Sequence, residues 1–304
     1  WLHKHNATSY DQLTNIPKEL RAQLSEMYPL FEPVIINKQV SKDGTRKYLI
    51  SLEDGSVVET VGIVDEDDEG NEQRLTVCCS TQVGCPMKCD FCATGQEGFV
   101  RNLSSNEIID QLVVVERDFG ARISNVVLMG QGEPFLNYDE VVAALHRMNT
   151  DEGFNIGARK ITVSTSGIID RIYDFIDEPE QFRLAISLHS AIQSIRNKLM
   201  PGLTGQPLED LHDSLLEYTA RKNRRVSLEY MMIDGVNDSE KELEMLLAFC
   251  DGIKCHVNLI PCNPIPCKNY KPSSSSTQNH WVHTLSMNGV PVSIRYSKGA
   301  DIAG

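Results

Sequence analysis

The sequence predicts an α/β fold, a partial (β/α)6 barrel that carries an N-terminal helical segment and an antiparallel β-meander. Two observations predict it. From residue 75 onward, short apolar runs alternate with helical segments, as expected for buried parallel strands covered by helices. Before that point, β-rich runs are separated only by Lys42-Asp43-Gly44 and Glu53-Asp54-Gly55, which are hairpin-type turns.

Three segments follow from this pattern. Residues 1–32 are predicted to be a helical accessory segment, in which Pro17 begins a second helix. Residues 33–73 are predicted to be the meander, with strands at 34–36, 47–52 and 57–61. Residues 74–304 are predicted to be the barrel, which ends with a capping helix and a strand at 292–295.

The barrel is predicted from six strand–helix units. Their strands are expected at 75–80, 125–129, 160–164, 182–188, 226–231 and 256–260. Ser104 is expected to cap the first helix, and later helices are expected near 138–148, 168–176, 192–199, 208–222 and 238–250. Active sites of β/α barrels lie at the carboxyl ends of the strands, so functional residues are expected there.

Composition limits the function classes. With 41% hydrophobic and 23% charged residues, the 304-residue chain is typical of a soluble globular protein. It has no apolar run near the roughly 20 residues of a transmembrane helix. Nine cysteines, an odd number, do not suggest a secreted disulfide framework and favour a reducing cytoplasm. The chain lacks an initiator Met and stops abruptly at residue 304, so we expect a trimmed piece of a longer protein.

The net charge limits the function classes less than the composition does. The net charge of −13 argues mildly against a nucleic-acid partner, although a local basic face can coexist with an acidic total. The densest basic run is Arg221-Lys222-Asn223-Arg224-Arg225. Two interpretations of this run stay equally open, a solvated helix end and an RNA contact.

The main chemical signal is the cysteine loop, residues 84–92, which carries Cys85, Cys89 and Cys92 at C-x3-C-x2-C spacing. Three ligands are one fewer than a closed zinc site or a fully ligated cubane cluster needs. A metal site with one open position is therefore one interpretation. The alternatives are simple buried thiols, or a structural zinc site whose fourth ligand is Cys78, Cys79 or a distant His.

Other polar groups follow predicted strands. The turn Gly130-Gln131-Gly132-Glu133-Pro134 lacks the third glycine of a dinucleotide fingerprint, and a simple two-glycine turn is its alternative. Ser164, Ser187-Leu188-His189 and Asn263 also follow strands. Each alone is more often a cap or a turn than a ligand site. At the same edge as the cysteine loop, they are candidates for binding ribose hydroxyls and a carboxylate.

The cysteine spacing, with Phe91 directly before Cys92, resembles the radical S-adenosylmethionine (SAM) superfamily. There, three thiolates hold a 4Fe-4S cluster, and SAM binds the fourth iron through its amino and carboxylate groups. One electron then cleaves the sulfonium to a 5′-deoxyadenosyl radical. The resemblance implies that Gly132 and Glu133 receive the methionine ammonium group.

A wider set of motifs, spread over nearly the whole chain, resembles the RlmN/Cfr family of radical methyltransferases. The motifs are Glu59-Thr60-Val61, Cys78, Gln82-Val83-Gly84-Cys85, Cys92-Ala93-Thr94-Gly95, Gly98-Phe99-Val100-Arg101-Asn102-Leu103, Met129-Gly130-Gln131-Gly132-Glu133-Pro134, Ser164-Thr165-Ser166-Gly167, Ala185-Ile186-Ser187-Leu188-His189, Gly235-Val236-Asn237-Asp238 and Val257-Asn258-Leu259-Ile260-Pro261. The family methylates adenosine in 23S rRNA, and its RlmN branch also acts on tRNA. Asn263-Pro264 with Pro266 looks closer to the C2-methylating RlmN branch than to the C8-methylating Cfr branch.

The resemblance implies a set of site residues. Cys85, Cys89 and Cys92 would ligate the cluster, and Gly132, Glu133, Ser164, Ser187, Leu188, His189 and Asn263 would hold SAM. Glu59 would be the general base, and Cys78 would resolve a protein–RNA adduct. An sp2 carbon such as adenine C2 is no nucleophile, so the family first moves the methyl group to a carrier cysteine. That cysteine is expected five residues after Asp301, at a position beyond residue 304, so we expect this chain to bind its cofactors without completing methyl transfer.

The resemblance also implies partners, namely 23S rRNA, tRNA and a reducing electron donor such as flavodoxin. We expect a cytoplasmic monomer with no membrane contact. Two alternative functions are C8 methylation of the same adenosine, which would confer antibiotic resistance, and a non-enzymatic zinc-binding module that binds RNA.

Overall fold

The computed structural model describes residues 7–28, 30, 32–66, 73–263 and 269–302. At the amino end, a short 3-10 turn at Tyr10–Gln12 precedes helix α1, Lys18–Met27. Pro17 directly precedes α1, as predicted. The prediction of helix over most of residues 1–30 is wrong between the 3-10 turn and Pro17, because proline disfavours helical backbone at the residue before it. Residues 1–6 lie outside the described part.

The predicted antiparallel meander is present. Its strands are β1 (Val34–Val40), β2 (Arg46–Ser51) and β3 (Val57–Glu66). Both connecting turns place a glycine in left-handed backbone, Gly44 at φ 85° and Gly55 at φ 83°. Strand β3 also pairs antiparallel with β4 (Gln73–Cys78), so the sheet continues through the predicted boundary at residue 73.

A small hairpin follows β4 and was not predicted. Strands β5 (Gln82–Gly84) and β6 (Phe99–Asn102) pair antiparallel and enclose the cysteine loop and the short helix α2 (Ala93–Glu97). Gln82 donates from Nε2 to Asn102 Oδ1 at 2.8 Å across the pair. These strands are shorter than the runs on which strand prediction usually rests, which is why the pattern missed them.

The rest of the sheet is parallel. Its strands after β4 are β7 (Asn125–Leu128), β8 (Ile161–Thr165), β9 (Arg183–Ser187), β10 (Val226–Met232), β11 (Cys255–Pro261) and β12 (Val292–Ile294). The ten-stranded sheet has the order β1-β2-β3-β4-β7-β8-β9-β10-β11-β12, with β1 and β12 at its edges. Every neighbouring pair from β4 onward is parallel, as predicted.

Helices connect the parallel strands. They are α3 (Ser105–Phe119), α4 (Tyr138–Asn149), α5 (Ile169–Asp177), α6 (Gln193–Leu199), α7 (Leu208–Lys222), α8 (Glu240–Cys250) and α9 (Ser275–Met287). Ser104 caps α3 as predicted, in a capping box with Glu107. The helices and the sheet share one main apolar core, so the carboxyl ends of β7 to β11 are held side by side. Within the described ranges, no helix is long and apolar enough to cross a membrane.

Candidate functional site

A cavity of about 260 Å³ opens at the carboxyl ends of β7 to β11; we refer to it as the strand-end cavity. The predicted site residues that line it are Cys85, Cys89, Cys92, Gly132, Glu133, Ser164, Ser187 and His189. A larger cavity of about 1000 Å³ lies at the amino ends of β10 and β11 and contains none of the predicted site residues. The structure therefore gathers all three cysteines and most of the polar candidates in one place.

The cysteine loop is held from both sides. Cys85 N donates to Gly98 O at 2.8 Å, and Asp90 N donates to Leu199 O at 2.8 Å. Gly202 N donates to Met87 O at 2.9 Å, and a Cβ at residue 202 would lie 2.6 Å from both Met87 Cα and Met87 O. Only glycine permits this close approach, so the segment after α6 is shaped to support the loop.

The three thiols of the loop are free and close together. Burial raises the pKa of Cys85 to about 11, and the neighbouring Cys92 opposes its ionisation further. Burial also raises the pKa of Cys89, with Cys92 and Cys85 acting in the same direction. The three thiols face an open cavity, and if all of them ionise, the thiolates repel one another unless a cation binds among them. This donor set fits a 4Fe-4S cluster with one free iron position.

A closed zinc site fits less well. Cys79 is fully buried in the core and Cys78 does not line the cavity, so neither is a fourth thiolate there. His189 does line it, but its Nδ1 already accepts a hydrogen bond from Met231 N at 3.0 Å. In the part of the chain that the structure describes, no fourth cysteine lines the cavity.

The turn after β7 reaches the cavity through Gly132 and Glu133. Gly132 has a φ of 104°, and a Cβ there would lie 2.7 Å from Gln82 Cβ. The Glu133 carboxylate is 3% exposed, and burial raises its pKa against the effect of its donors. Those donors are Phe135 N at 3.0 Å, Thr165 Oγ1 at 2.6 Å, Ser166 N at 2.7 Å and Ser166 Oγ at 2.6 Å. The carboxylate thus fixes the turn to the end of β8.

His189 presents a neutral donor to the cavity. Burial lowers its pKa to about 3, and the Arg196 charge adds to this effect. Because Nδ1 is an acceptor, the ring proton is on Nε2. The Phe91 ring meets the imidazole edge-on, with 4.7 Å between ring centroids. His189 is therefore a hydrogen-bond donor without charge at ordinary pH.

Leu188 and Asn263 stand apart from the cavity lining. Leu188 N donates to Glu229 O at 3.0 Å, and Leu188 O accepts from Arg196 Nε at 3.2 Å. Asn263 is exposed, and its Nδ2 donates to Ser297 Oγ at 2.7 Å. Pro264, Pro266 and Cys267 lie outside the described residues, so the branch-specific motif is not described.

Glu59 and Cys78 form a separate pair beside the cavity. Val61 of β3 is paired with Cys78 of β4, and Glu59, two residues from Val61, shares their face. Burial raises the Glu59 pKa against the effect of Lys47, whose Nζ lies 3.5 Å from Glu59 Oε2. Burial raises the pKa of Cys78 to about 12, and the Glu59 charge adds to this rise. The Cys78 thiol also contacts the backbone of Met129, a residue of the cavity wall.

Two charged residues at the site were not predicted. Glu229 is 8% exposed, lines the cavity, and accepts from Asn258 Nδ2 at 2.8 Å. An acidic residue inside the apolar strand β10 was a signal that could have found it. Arg196 lies fully buried in α6, and its partners are backbone carbonyls, which leave no trace in a single sequence.

The basic run lies at the opposite end of the sheet. It spans the end of α7 and the residue before β10. Arg221 pairs with Asp177 and Glu217, Lys222 donates to the carbonyls of Glu178 and Glu180, and Arg224 donates to Gln181. These contacts favour the interpretation of the run as a helix end over an RNA contact.

Comparison with known proteins agrees with this geometry. The family model described as the Radical SAM superfamily matches residues 79–247. A probable dual-specificity RNA methyltransferase RlmN of Nostoc punctiforme is 45% identical over 303 residues, covering 99% of this chain and 82% of the relative. A protein of the same description from Clostridium novyi is 41% identical over 305 residues, covering 100% of this chain and 87% of the relative.

A solved structure is also similar over the whole chain. It is described as a radical SAM methyltransferase from Sphaerobacter thermophilus and is 40% identical, with a TM-score of 0.93. The similarity covers 99% of this chain and 88% of the other. The fold thus has a close counterpart in an experimental structure.

Proposed function

The chain belongs to the RlmN family of radical SAM RNA methyltransferases, and we propose that it methylates C2 of an adenosine in 23S rRNA and of an adenosine in tRNA. One observation carries the proposal. The three free thiols of the cysteine loop and the polar residues that end β7 to β9 face one cavity, with Glu59 and Cys78 beside it. A binding site and a separate acid–base pair are what this reaction requires.

Membership of the radical SAM superfamily implies a 4Fe-4S cluster and SAM. Cys85, Cys89 and Cys92 would hold the cluster. The residues that would hold SAM are Gly132, Glu133, Ser164, Ser187, Leu188, His189 and Asn263. When bound, the two cofactors supply one-electron cleavage of the sulfonium and hence hydrogen-abstraction chemistry.

The residues around the cavity would bind SAM and orient it. His189 offers Nε2–H as a donor that stays uncharged, so it can bind an acceptor without repelling the sulfonium. Leu188 would act through its backbone, which Arg196 and Glu229 hold in place. Phe91, Met87 and Met200 give the cavity an apolar wall beside the thiols.

Glu59 would accept the proton that leaves C2 of the adduct. Burial raises its pKa, which makes the carboxylate a better proton acceptor than an exposed one. The Lys47 ammonium group, 3.5 Å away, favours the ionised carboxylate and so opposes the rise in the Glu59 pKa.

Cys78 would release the product. Its thiolate attacks the sulfur of the methyl-carrying cysteine, so a new S–S bond replaces the S–C bond to the methylene group. The methylene carbon takes the electron pair together with the proton that the Cys78 thiol gives up, and becomes the methyl group. Because burial raises the Cys78 pKa to about 12, the thiol keeps this proton until it attacks, while the C2 proton stays on Glu59, which is on the same face of the sheet.

Mass spectrometry of rRNA and tRNA tests the regiochemistry. Cells that lack their own enzyme would express the intact gene, and their RNA would be digested to nucleosides. We expect 2-methyladenosine in both RNA pools, and its loss in a Cys78→Ala strain. A methyl group at C8 would reject the proposal in favour of the antibiotic-resistance reaction.

We also propose that the protein is a monomer and that it receives electrons from a reducing donor such as flavodoxin. Light scattering of the purified protein tests the first point, and a dimer mass would reject it. Reduction of the reconstituted protein by flavodoxin, monitored optically, tests the second.

A further inference from the structure

A fully buried arginine lies next to the strand-end cavity. Arg196 is 0% exposed, and it is among the largest fully buried side chains in the described part of the chain. Arginine is rarely buried without a charged partner. Among the described residues, no carboxylate lies within ion-pair distance of Arg196, so its charge needs another explanation.

Two of its nitrogens hold the ends of strands. Nε donates to Leu188 O at 3.2 Å, and Nη2 donates to Ser187 O at 3.5 Å and to Ser166 O. These carbonyls belong to the segments that end β8 and β9, where the SAM-binding candidates lie. The guanidinium group thus fixes the wall of the cavity.

The third nitrogen, Arg196 Nη1, is buried and donates no hydrogen bond to any residue within the described ranges. Leaving a buried charged donor unpaired is costly, and such groups in native structures call for an explanation. Hydrogen bonds to carbonyls alone therefore do not explain why the Arg196 charge is buried.

The cysteine loop is the anionic partner that remains. Helix α6, which carries Arg196, ends at Leu199, whose carbonyl accepts from Asp90 N of the loop at 2.8 Å, and the Leu188 carbonyl that Arg196 binds precedes His189, whose ring meets Phe91 of the loop. In agreement with this geometry, burial lowers the Arg196 pKa to about 10, and the charges of Cys89 and Glu133 act in the opposite direction. Glu133 already accepts four hydrogen bonds from other groups. Apolar residues such as Met87, Leu199 and Met200 pack around the loop, so the charge acts through a medium of low polarity.

We infer that Arg196 is a positioning residue that keeps a positive charge beside the three-cysteine site and thereby eases its one-electron reduction. The three thiolates make the site anionic, and reduction adds a further negative charge. A fixed cation stabilises the more negative state more strongly, and charge and hydrogen bonds to the sulfurs are known levers on cluster potential. This inference rests on the proposed assignment of the cluster to Cys85, Cys89 and Cys92.

A redox titration of the anaerobically reconstituted full-length protein, monitored by electron paramagnetic resonance, tests the inference. The variants are Arg196→Gln and Arg196→Met, which remove the charge, and Arg196→Lys, which keeps it. The control is Arg221→Gln, which removes the same charge from an exposed site at the other end of the sheet. We expect the uncharged variants to lose at least about tenfold in the reduction equilibrium, or about 59 mV for one electron, and the control to match the wild type.

The outcomes separate the inference from the proposed function. A wild type that takes up no cluster would overturn both. A normal cluster in every protein, with equal potentials in wild type and uncharged variants, would overturn the inference alone and leave Arg196 a structural residue. If neither uncharged variant folds, the Arg196→Lys variant decides the question. A reduction equilibrium within about threefold of that of the wild type, despite a lower melting temperature, supports a charge effect. A larger change in the reduction equilibrium contradicts it.

Discussion

At the scale of single residues, the free cysteines of the chain differ in what surrounds their thiols. Burial raises the pKa of Cys89, and the neighbouring Cys92 and Cys85 thiols raise it further. Cys250 is also a free cysteine and is more deeply buried than Cys89, but it ends α8 beside the cavity at the other end of the sheet. Comparing the two positions separates the effect of losing a cluster ligand from the effect of losing any buried thiol.

We predict that Cys89→Ser abolishes cluster uptake because one of three ligands is lost. Cys250→Ser should keep full uptake and cost only about 1–3 kcal/mol of stability, since it buries a hydroxyl. Iron and sulfide analysis after anaerobic reconstitution measures both. Equal iron content in Cys89→Ser and wild type would reject the ligand assignment.

His189 gives a prediction for acid stability. Its pKa is lowered from 6.5 to about 3 in the folded protein, so between these values the unfolded chain binds more protons and stability falls as the pH falls. From pH 7.5 to pH 5.5 this residue alone should cost about 1.4 kcal/mol. An Asn side chain can accept the Met231 hydrogen bond without titrating. The difference in free energy of unfolding between the wild type and His189→Asn should therefore shrink by about 1.4 kcal/mol from pH 7.5 to pH 5.5. Urea unfolding of the cluster-free proteins measures it, and a constant gap would contradict the buried neutral state.

At the level of elements, the site depends on how the segment after α6 supports the cysteine loop. Gly202 touches Met87 so closely that a side chain must displace one of the two backbones. Gly157 is a suitable control, because a Cβ there meets nothing within 4 Å and its φ of −57° suits any residue.

Gly202→Ala should therefore lower both the melting temperature and the cluster content. Overpacking of this kind costs about 1–3 kcal/mol. Gly157→Ala should leave both quantities unchanged. Calorimetry and iron analysis of the two variants test this, and full cluster content in Gly202→Ala would show that the loop does not depend on this contact.

The parallel strands were predictable and the small hairpin was not, for a physical reason. Strands β7 to β11 place apolar residues such as Val126, Val163 and Val257 in the main core, and they therefore appear in the sequence as short runs rich in apolar and β-branched residues. Strands β5 and β6 are stabilised by side-chain contacts such as Gln82 to Asn102, which follow no period. Arg196 could not be predicted because it bonds to carbonyls that any residue has.

At the scale of the whole molecule, the net charge of −13 must be reconciled with an RNA substrate. The basic run does not reconcile them, because it lies at the amino end of β10, away from the strand-end cavity, and most of it is engaged within the protein. We therefore expect the positive charge that contacts RNA to come from residues other than this run.

We predict that Arg225→Gln leaves RNA affinity within about twofold and does not change the salt dependence of binding. Loss of a phosphate contact would instead lower the slope of log affinity against log salt by about 1. Filter binding at several salt concentrations distinguishes the two results. A reduced slope would place RNA at the far end of the sheet.

We predict that the strand-end cavity binds SAM next to a cluster that Cys85, Cys89 and Cys92 would hold. The most direct measurement is electron–nuclear double resonance on the reduced, reconstituted protein with SAM labelled with ¹⁵N at its amino group. We predict a hyperfine coupling between the label and the cluster, which disappears in Cys89→Ser. Absence of coupling in a protein that holds the cluster, or a colourless protein with stoichiometric zinc, would contradict the claim.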